Sequence, residues 1–179
     1  MHQYAQDYDG TLPRSWFGRE DMPSDAKTNY KWMDAIFPYA KAVELFDCPA
    51  KTGGLPYRFR SGINGSYVMN NAYYAPDDSH TPPAGMRLSE IKSPSSVVLV
   101  TDGTGDFQFA WSDAAAAPSI IEGYPRTLGT ISGRHKDNVK SQGFAIPLYA
   151  DGHILGNSLE YVSKPKQNSL YAGFTIEDD

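Results

Sequence analysis

The chain has 179 residues, 40% of them hydrophobic and 13% aromatic, enough for one domain, 1–179, with its own core. A formal net charge of −5, with Lys and Arg scattered rather than clustered, argues against a nucleic-acid partner. The single cysteine, Cys48, excludes a disulfide within the chain and a cysteine-only zinc site, and no apolar run approaches the ~18–20 residues that span a bilayer.

Residues 1–9 are helix-compatible, with Tyr4, Ala5 and Tyr8 at helical spacing and Gly10 as the stop. They read as the last turns of a helix that begins upstream of Met1. Asp7-Tyr8-Asp9-Gly10 opens like a calcium loop but lacks the downstream Glu, so its acids are read as solvated helix-end groups. Residues 11–23 form an extended loop around Pro13, Gly18 and Pro23. Ser24 is an N-cap candidate with Asp25 in the first turn. Tyr30, Met33 and Phe37 recur at helical spacing, and Pro38 should end or kink that helix at Phe37. Such a Met and aromatic stripe is core packing.

Residues 43–49 read as a turn or brief strand that buries Cys48, which behaves as a small hydrophobe there. Residues 57–60 alternate as a strand does, and residues 65–70 read as another strand. Residues 75–86 are a Pro- and Gly-bearing loop. Val97–Thr101 is the clearest strand, continuous and β-branched, and should be central. It is followed by Asp102-Gly103-Thr104-Gly105-Asp106. An Asp closing a buried strand beside glycines is either a turn former or a metal or catalytic group. Without a third glycine and a following amphipathic helix, this is no dinucleotide fingerprint. Residues 107–124 read as a surface insertion.

Near the carboxyl end the pattern predicts a hairpin: strand 144–150, a type I′ turn at Asp151-Gly152, and a return strand from His153. Pro147 places the first strand at an edge or marks a bulge. Residues 159–162 read as a last strand, with Tyr171 and Phe174 as anchors onto the core. Asp151 and His153, two apart, could offer oxygen and nitrogen ligands together or serve in acid–base chemistry. The simpler reading is an Asp that satisfies its own turn beside a packed His. His135, in Ser132-Gly133-Arg134-His135, is the further His that could join them.

Several of these segments, in this order, resemble one family. Tyr4–Gly10 with Leu12-Pro13 is similar to the end of the long amino-terminal helix of type IV pilin-like proteins. Trp32–Tyr39, Phe46-Asp47-Cys48-Pro49, Ser66-Tyr67 with Asn70, and Ile91–Ser95 leading to Val98–Gly103 resemble segments of bacterial pseudopilins of the prepilin-type processing-associated H-X9-DG group. His135 with Asp151-Gly152-His153-Ile154 resembles the motif that names the group. Fifteen residues, 136–150, separate His135 from Asp151 where the family pattern has nine. The six extra lengthen the loop 136–142 and argue against direct contact between His135 and Asp151.

The resemblance implies an α+β, pilin-like head: the end of a helix packed on a small antiparallel sheet with loop-rich insertions. It implies a prepilin-type, methylated amino terminus on an apolar helix absent from this chain, seated in the bacterial inner membrane. The head would lie in the periplasm or outside the cell. The protein would be no enzyme but a structural subunit of a type II secretion or type IV pilus-like filament, with other pilin-like subunits as partners. Pseudopilins of type II secretion bind calcium in the head; Asp102, Asp106 and Asp151 are the acidic candidates for Ca²⁺ here, and no other cofactor is implied. Two alternatives rest on residue types alone. One is a metal-dependent hydrolase using His135, His153, Asp102 and Asp151. The other is a carbohydrate-binding β-module using the three Trp and twelve Tyr.

Overall fold

The computed structural model describes residues 1–17, 30–73, 81–104, 106–111, 130–135, 143–158, 161 and 173–176. It is a mixed α+β arrangement. Two helices, α1 (His2–Asp7) and α2 (Trp32–Ala40), precede the strands β1 (Tyr67–Asn70), β2 (Val98–Thr104), β3 (Gln108–Phe109), β4 (Thr130–Ile131), β5 (Phe144–Ala145), β6 (Leu148–Tyr149) and β7 (Asn157–Ser158). No helix among the described residues is long and apolar enough to cross a membrane.

Helix α1 ends at Asp7, two residues short of the expected 9, and a turn through Tyr8–Gly10 closes it. Asp9 and Gly10 take positive φ (52° and 78°), and the Gly10 N–H returns to the Ala5 carbonyl at 2.8 Å. Tyr4 and Ala5 are buried, and Tyr4 meets Tyr39 of α2 edge-on. Helix α2 differs from expectation at both ends. It starts at Trp32, where the Asp34 carboxylate accepts the Lys31 N–H at 3.0 Å; Ser24 and Asp25 lie outside the described residues. It runs through Pro38 to Ala40. Proline removes the donor that would have reached the Asp34 carbonyl, and the Tyr30 hydroxyl donates to that carbonyl instead at 3.1 Å.

The main sheet runs β3-β1-β2-β4, with β6 also paired to β2. β1, β4 and β6 pair antiparallel with β2, but β1 and β3 are parallel, so the sheet is mixed rather than antiparallel. A separate two-stranded sheet joins β5 to β7. The β-branched run is central as expected, and β2 continues through Asp102 and Gly103 because Gly103 and Thr104 pair with Ile131 and Thr130. Asp102 is therefore within a strand, not at its end.

The expected strand at 57–60 is irregular backbone. The Tyr57 hydroxyl and the Arg60 N–H both donate to Asp34 Oδ1, at 2.7 and 2.8 Å, and Arg60 has φ 51°. Residues 43–46 form a short 3₁₀ turn. Residues 107–111 are not a surface insertion: Phe109, Ala110 and Trp111 are in the core, packed with Tyr73 and Phe174. Residues 112–124 lie outside the described residues, as do Tyr171 and all of the expected strand 159–162 except exposed Tyr161.

The hairpin forms with a different turn. Asp151 does not take positive φ; Gly152 does, at 94°. The Gly152 N–H donates to the Tyr149 carbonyl at 3.0 Å, and the Tyr149 N–H to His153 at 3.0 Å. This is a three-residue loop closed by a left-handed glycine. Pro147 splits the expected strand 144–150 into β5 and β6, which belong to different sheets.

Candidate functional site

Three segments far apart in the chain meet at one end of an apolar cleft of about 430 Å³. Cys48 comes from the turn after the 3₁₀ segment. That turn is pinned where the Asp47 carboxylate accepts the Tyr57 N–H at 2.7 Å and the Phe46 carbonyl accepts the Ser66 N–H at 2.9 Å. Asp102 comes from β2, opposite Tyr67 of β1. His135 follows β4 and is bridged to Phe144 by a reciprocal pair of backbone hydrogen bonds, 2.6 and 3.2 Å long. The side-chain donor atoms of Cys48, Asp102 and His135 all lie within 4.8 Å of one another.

The geometry is specific. His135 Nε2 is 3.5 Å from Cys48 Sγ and 3.3 Å from each carboxylate oxygen of Asp102. Asp102 is fully buried, with Oδ2 accepting the Ile146 N–H at 2.8 Å and Oδ1 3.7 Å from Arg134 Nε. The Arg134 guanidinium also donates to the Gly103 carbonyl. Its charge offsets the cost of a buried carboxylate. The Tyr67 hydroxyl contacts Cys48. Burial first, then the Cys48 and Asp102 charges, push its phenol up to about 12, so it stays protonated. Trp32, Ile36, Phe46, Leu148 and Ile154 complete the apolar walls.

This is not the arrangement of a cysteine–histidine–aspartate nucleophile. In such a triad the carboxylate holds one ring nitrogen so that the other faces the nucleophile. Here the carboxylate and the sulfur both approach Nε2.

The sequence candidates divide into separate places. His135 and Asp102 meet, with Cys48 as third member; Pro49 lines the same cleft. Asp151 and His153 belong elsewhere, paired with each other at 2.6 Å. Asp151 Oδ1 also accepts the His153 N–H at 3.1 Å, and the His153 ring stacks on Tyr149. Those bonds, the backbone one first, hold the exposed Asp151 carboxyl below its usual range. Gly152 supplies the positive φ of that turn. The four residues of the hydrolase reading thus form two pairs, and the ligand cluster among the described residues holds only one of them. Asp106 is a third location: its Oδ1 accepts the Phe107 N–H at 2.7 Å and the Asn64 amide at 3.4 Å. The three acidic calcium candidates form no shared cluster among the described residues. Of the tryptophans, Trp32 and Trp111 are core residues.

Sequence reasoning missed Arg134 and Tyr67 as members of the site. The one signal for Arg134 was a cation beside His135 in a Gly-bearing segment. For Tyr67 the signals were its place in a strand and in the Ser66-Tyr67 segment of the family resemblance.

Comparison with known proteins finds no matching family model, no matching curated protein and no matching solved structure.

Proposed function

We propose that this chain is the globular head of a pilin-like filament subunit of the H-X9-DG pseudopilin group. It works by assembly with other pilin-like subunits rather than by catalysis. A longer apolar amino-terminal helix anchors it in the bacterial inner membrane, with the head in the periplasm or outside the cell. The observation that carries this reading is the seating of α1. A helix of six residues is far below the ~12–15 residues that hold a helix on their own in water. It persists here through tertiary packing: Tyr4 and Ala5 are buried, Tyr4 meets Tyr39, and the Tyr39 hydroxyl donates to Asp7 at 2.7 Å. A short helix clamped along one face and closed sharply at Gly10 suits the lower end of a stalk on which a head is built.

A second feature supports the reading. Cys48-Pro49, Asp102 and His135 belong to scattered segments of the family resemblance, and they come together in one cleft. Among the described residues, Trp32, Trp111, Tyr73 and Phe109 are buried in the core and so are not free to stack on a ligand.

The test is the native coding sequence upstream of Met1. The proposal expects a short leader ending in Gly, then Phe-Thr-Leu-like residues, a Glu and a continuous apolar helix. An ordinary cleaved secretory signal, or an upstream segment with no apolar helix, overturns it.

A further inference from the structure

We propose that Cys48, Asp102 and His135 form a three-ligand site for a divalent transition-metal ion, zinc by chemical preference, with a fourth position open to the apolar cleft. The proposal does not rest on the filament reading.

Two observations carry it. The first is metric. Zinc bonds of about 2.3 Å to sulfur, about 2.0–2.1 Å to imidazole nitrogen and about 2.0–2.2 Å to carboxylate oxygen, set at tetrahedral angles, separate sulfur from nitrogen by about 3.5 Å and nitrogen from oxygen by about 3.3–3.4 Å. The corresponding distances are 3.5 Å from Cys48 Sγ to His135 Nε2 and 3.3 Å from Nε2 to Asp102. Two of the three donor separations match edges of a coordination tetrahedron, and the third, Cys48 Sγ to Asp102, is within 4.8 Å.

The second is a proton count. His135 Nε2 carries at most one hydrogen. If it is protonated it donates to Asp102 and cannot also accept the thiol proton. If it is bare it accepts from Cys48 and faces the Asp102 carboxylate lone pair to lone pair. No tautomer lets Nε2 donate to the carboxylate and accept from the thiol at once. A cation at their centre satisfies all three donors at once.

The surroundings suit such an ion. A thiolate, an imidazole and a carboxylate together are a borderline-soft donor set that favours zinc-like ions over calcium, which takes oxygen ligands. Outer contacts are already in place: the Ile146 N–H on Asp102 Oδ2, and Arg134 beside Oδ1. Thiolate and carboxylate charges balance those of a divalent cation. Three protein ligands with an open position is also the pattern of sites that keep an exchangeable water. The cleft walls of Trp32, Ile36, Phe46 and Leu148 leave that water without other polar neighbours from those side chains.

The test uses the chain as it stands, freed of metal and then given Zn²⁺ or Co²⁺ alone. The expected result is one equivalent of zinc retained through gel filtration and a higher melting temperature with zinc. Cobalt should give a thiolate-to-metal charge-transfer band with the intense visible bands of a tetrahedral ion. Cys48→Ser should abolish the charge-transfer band, His135→Gln should abolish zinc retention, and His153→Gln should leave both intact. A wild-type protein that shows no charge-transfer band with cobalt overturns the proposal without recourse to any variant. So does zinc retention that survives in both Cys48→Ser and His135→Gln, or that is lost in His153→Gln. An upstream sequence without an apolar helix overturns the filament reading and leaves this site untouched.

Discussion

The carboxylate of Asp34, in the first turn of α2, accepts a hydrogen bond from the hydroxyl of Tyr57 at 2.7 Å, with both side chains buried. The same carboxylate takes the Lys31 and Arg60 N–H groups, so one buried acid starts a helix and bends a loop. Truncation to Asp34→Ala leaves three donors without their partner and should cost about 3 kcal/mol or more, read by urea unfolding. Tyr57→Phe removes one bond, and about 1–2 kcal/mol is the expected loss.

Tyr57 also sets an alkaline limit. Burial first, and then the bond to Asp34, push its phenol well above the ordinary value. Its folded pKa exceeds the unfolded one. Its contribution is therefore complete below pH ~10 and falls as pH rises from there toward the folded value. The wild-type melting temperature should decline above pH ~10 more steeply than that of Tyr57→Phe. Parallel declines would remove Tyr57 from the explanation.

Asp151 provides an acid-side counterpart. Its carboxyl sits below the usual range because of the His153 N–H first and the His153 ring second. A lowered folded pKa gives stability that is present above the unfolded value near ~3.9 and lost as pH falls through the folded one. By NMR titration, His153→Ala should move the Asp151 midpoint only part of the way back, since the backbone donor survives the substitution. Complete recovery would assign the whole effect to the ring.

Gly143 has φ 91°, and a Cβ there would stand 1.9 Å from the Gly133 carbonyl oxygen. Gly143→Ala should cost at least ~2 kcal/mol from strain and collision together. It should also disturb the bridge that fixes His135, so zinc retention should fall along with stability. A variant as stable as wild type would show that this close approach is readily relieved.

Calcium in the millimolar range should leave the melting temperature unchanged. Asp102 is engaged by Ile146, Arg134 and His135; Asp106 by Phe107 and Asn64; Asp151 by His153. A rise of several degrees would reveal a stabilising calcium site and overturn this expectation.

Much of the local order was readable in the residues. The run Val97–Thr101 has no plausible home but a central strand, and Gly10 completes the turn that closes α1. What could not be read depended on partners remote in sequence. Pro38 passes through α2 because the Tyr30 hydroxyl serves the carbonyl it leaves without a donor. Tyr57–Arg60 alternates like a strand, but Asp34 draws its polar groups inward. Gly103 reads as a strand end, yet pairing with Ile131 carries β2 past it. The site shows the same limit. His135 and Asp102 were both candidates by residue type, but so were His153 and Asp151, and nothing local separates the pair that meets from the pair that does not, since Asp102 lies on another strand, 33 residues earlier.

Cys48 is the chain's single sulfhydryl and is screened by segments that reach it from positions up to 87 residues away. Covering it therefore requires contacts remote in sequence, not one local turn. Timed alkylation at this one atom during refolding would register the closing of this long-range contact rather than the appearance of any helix.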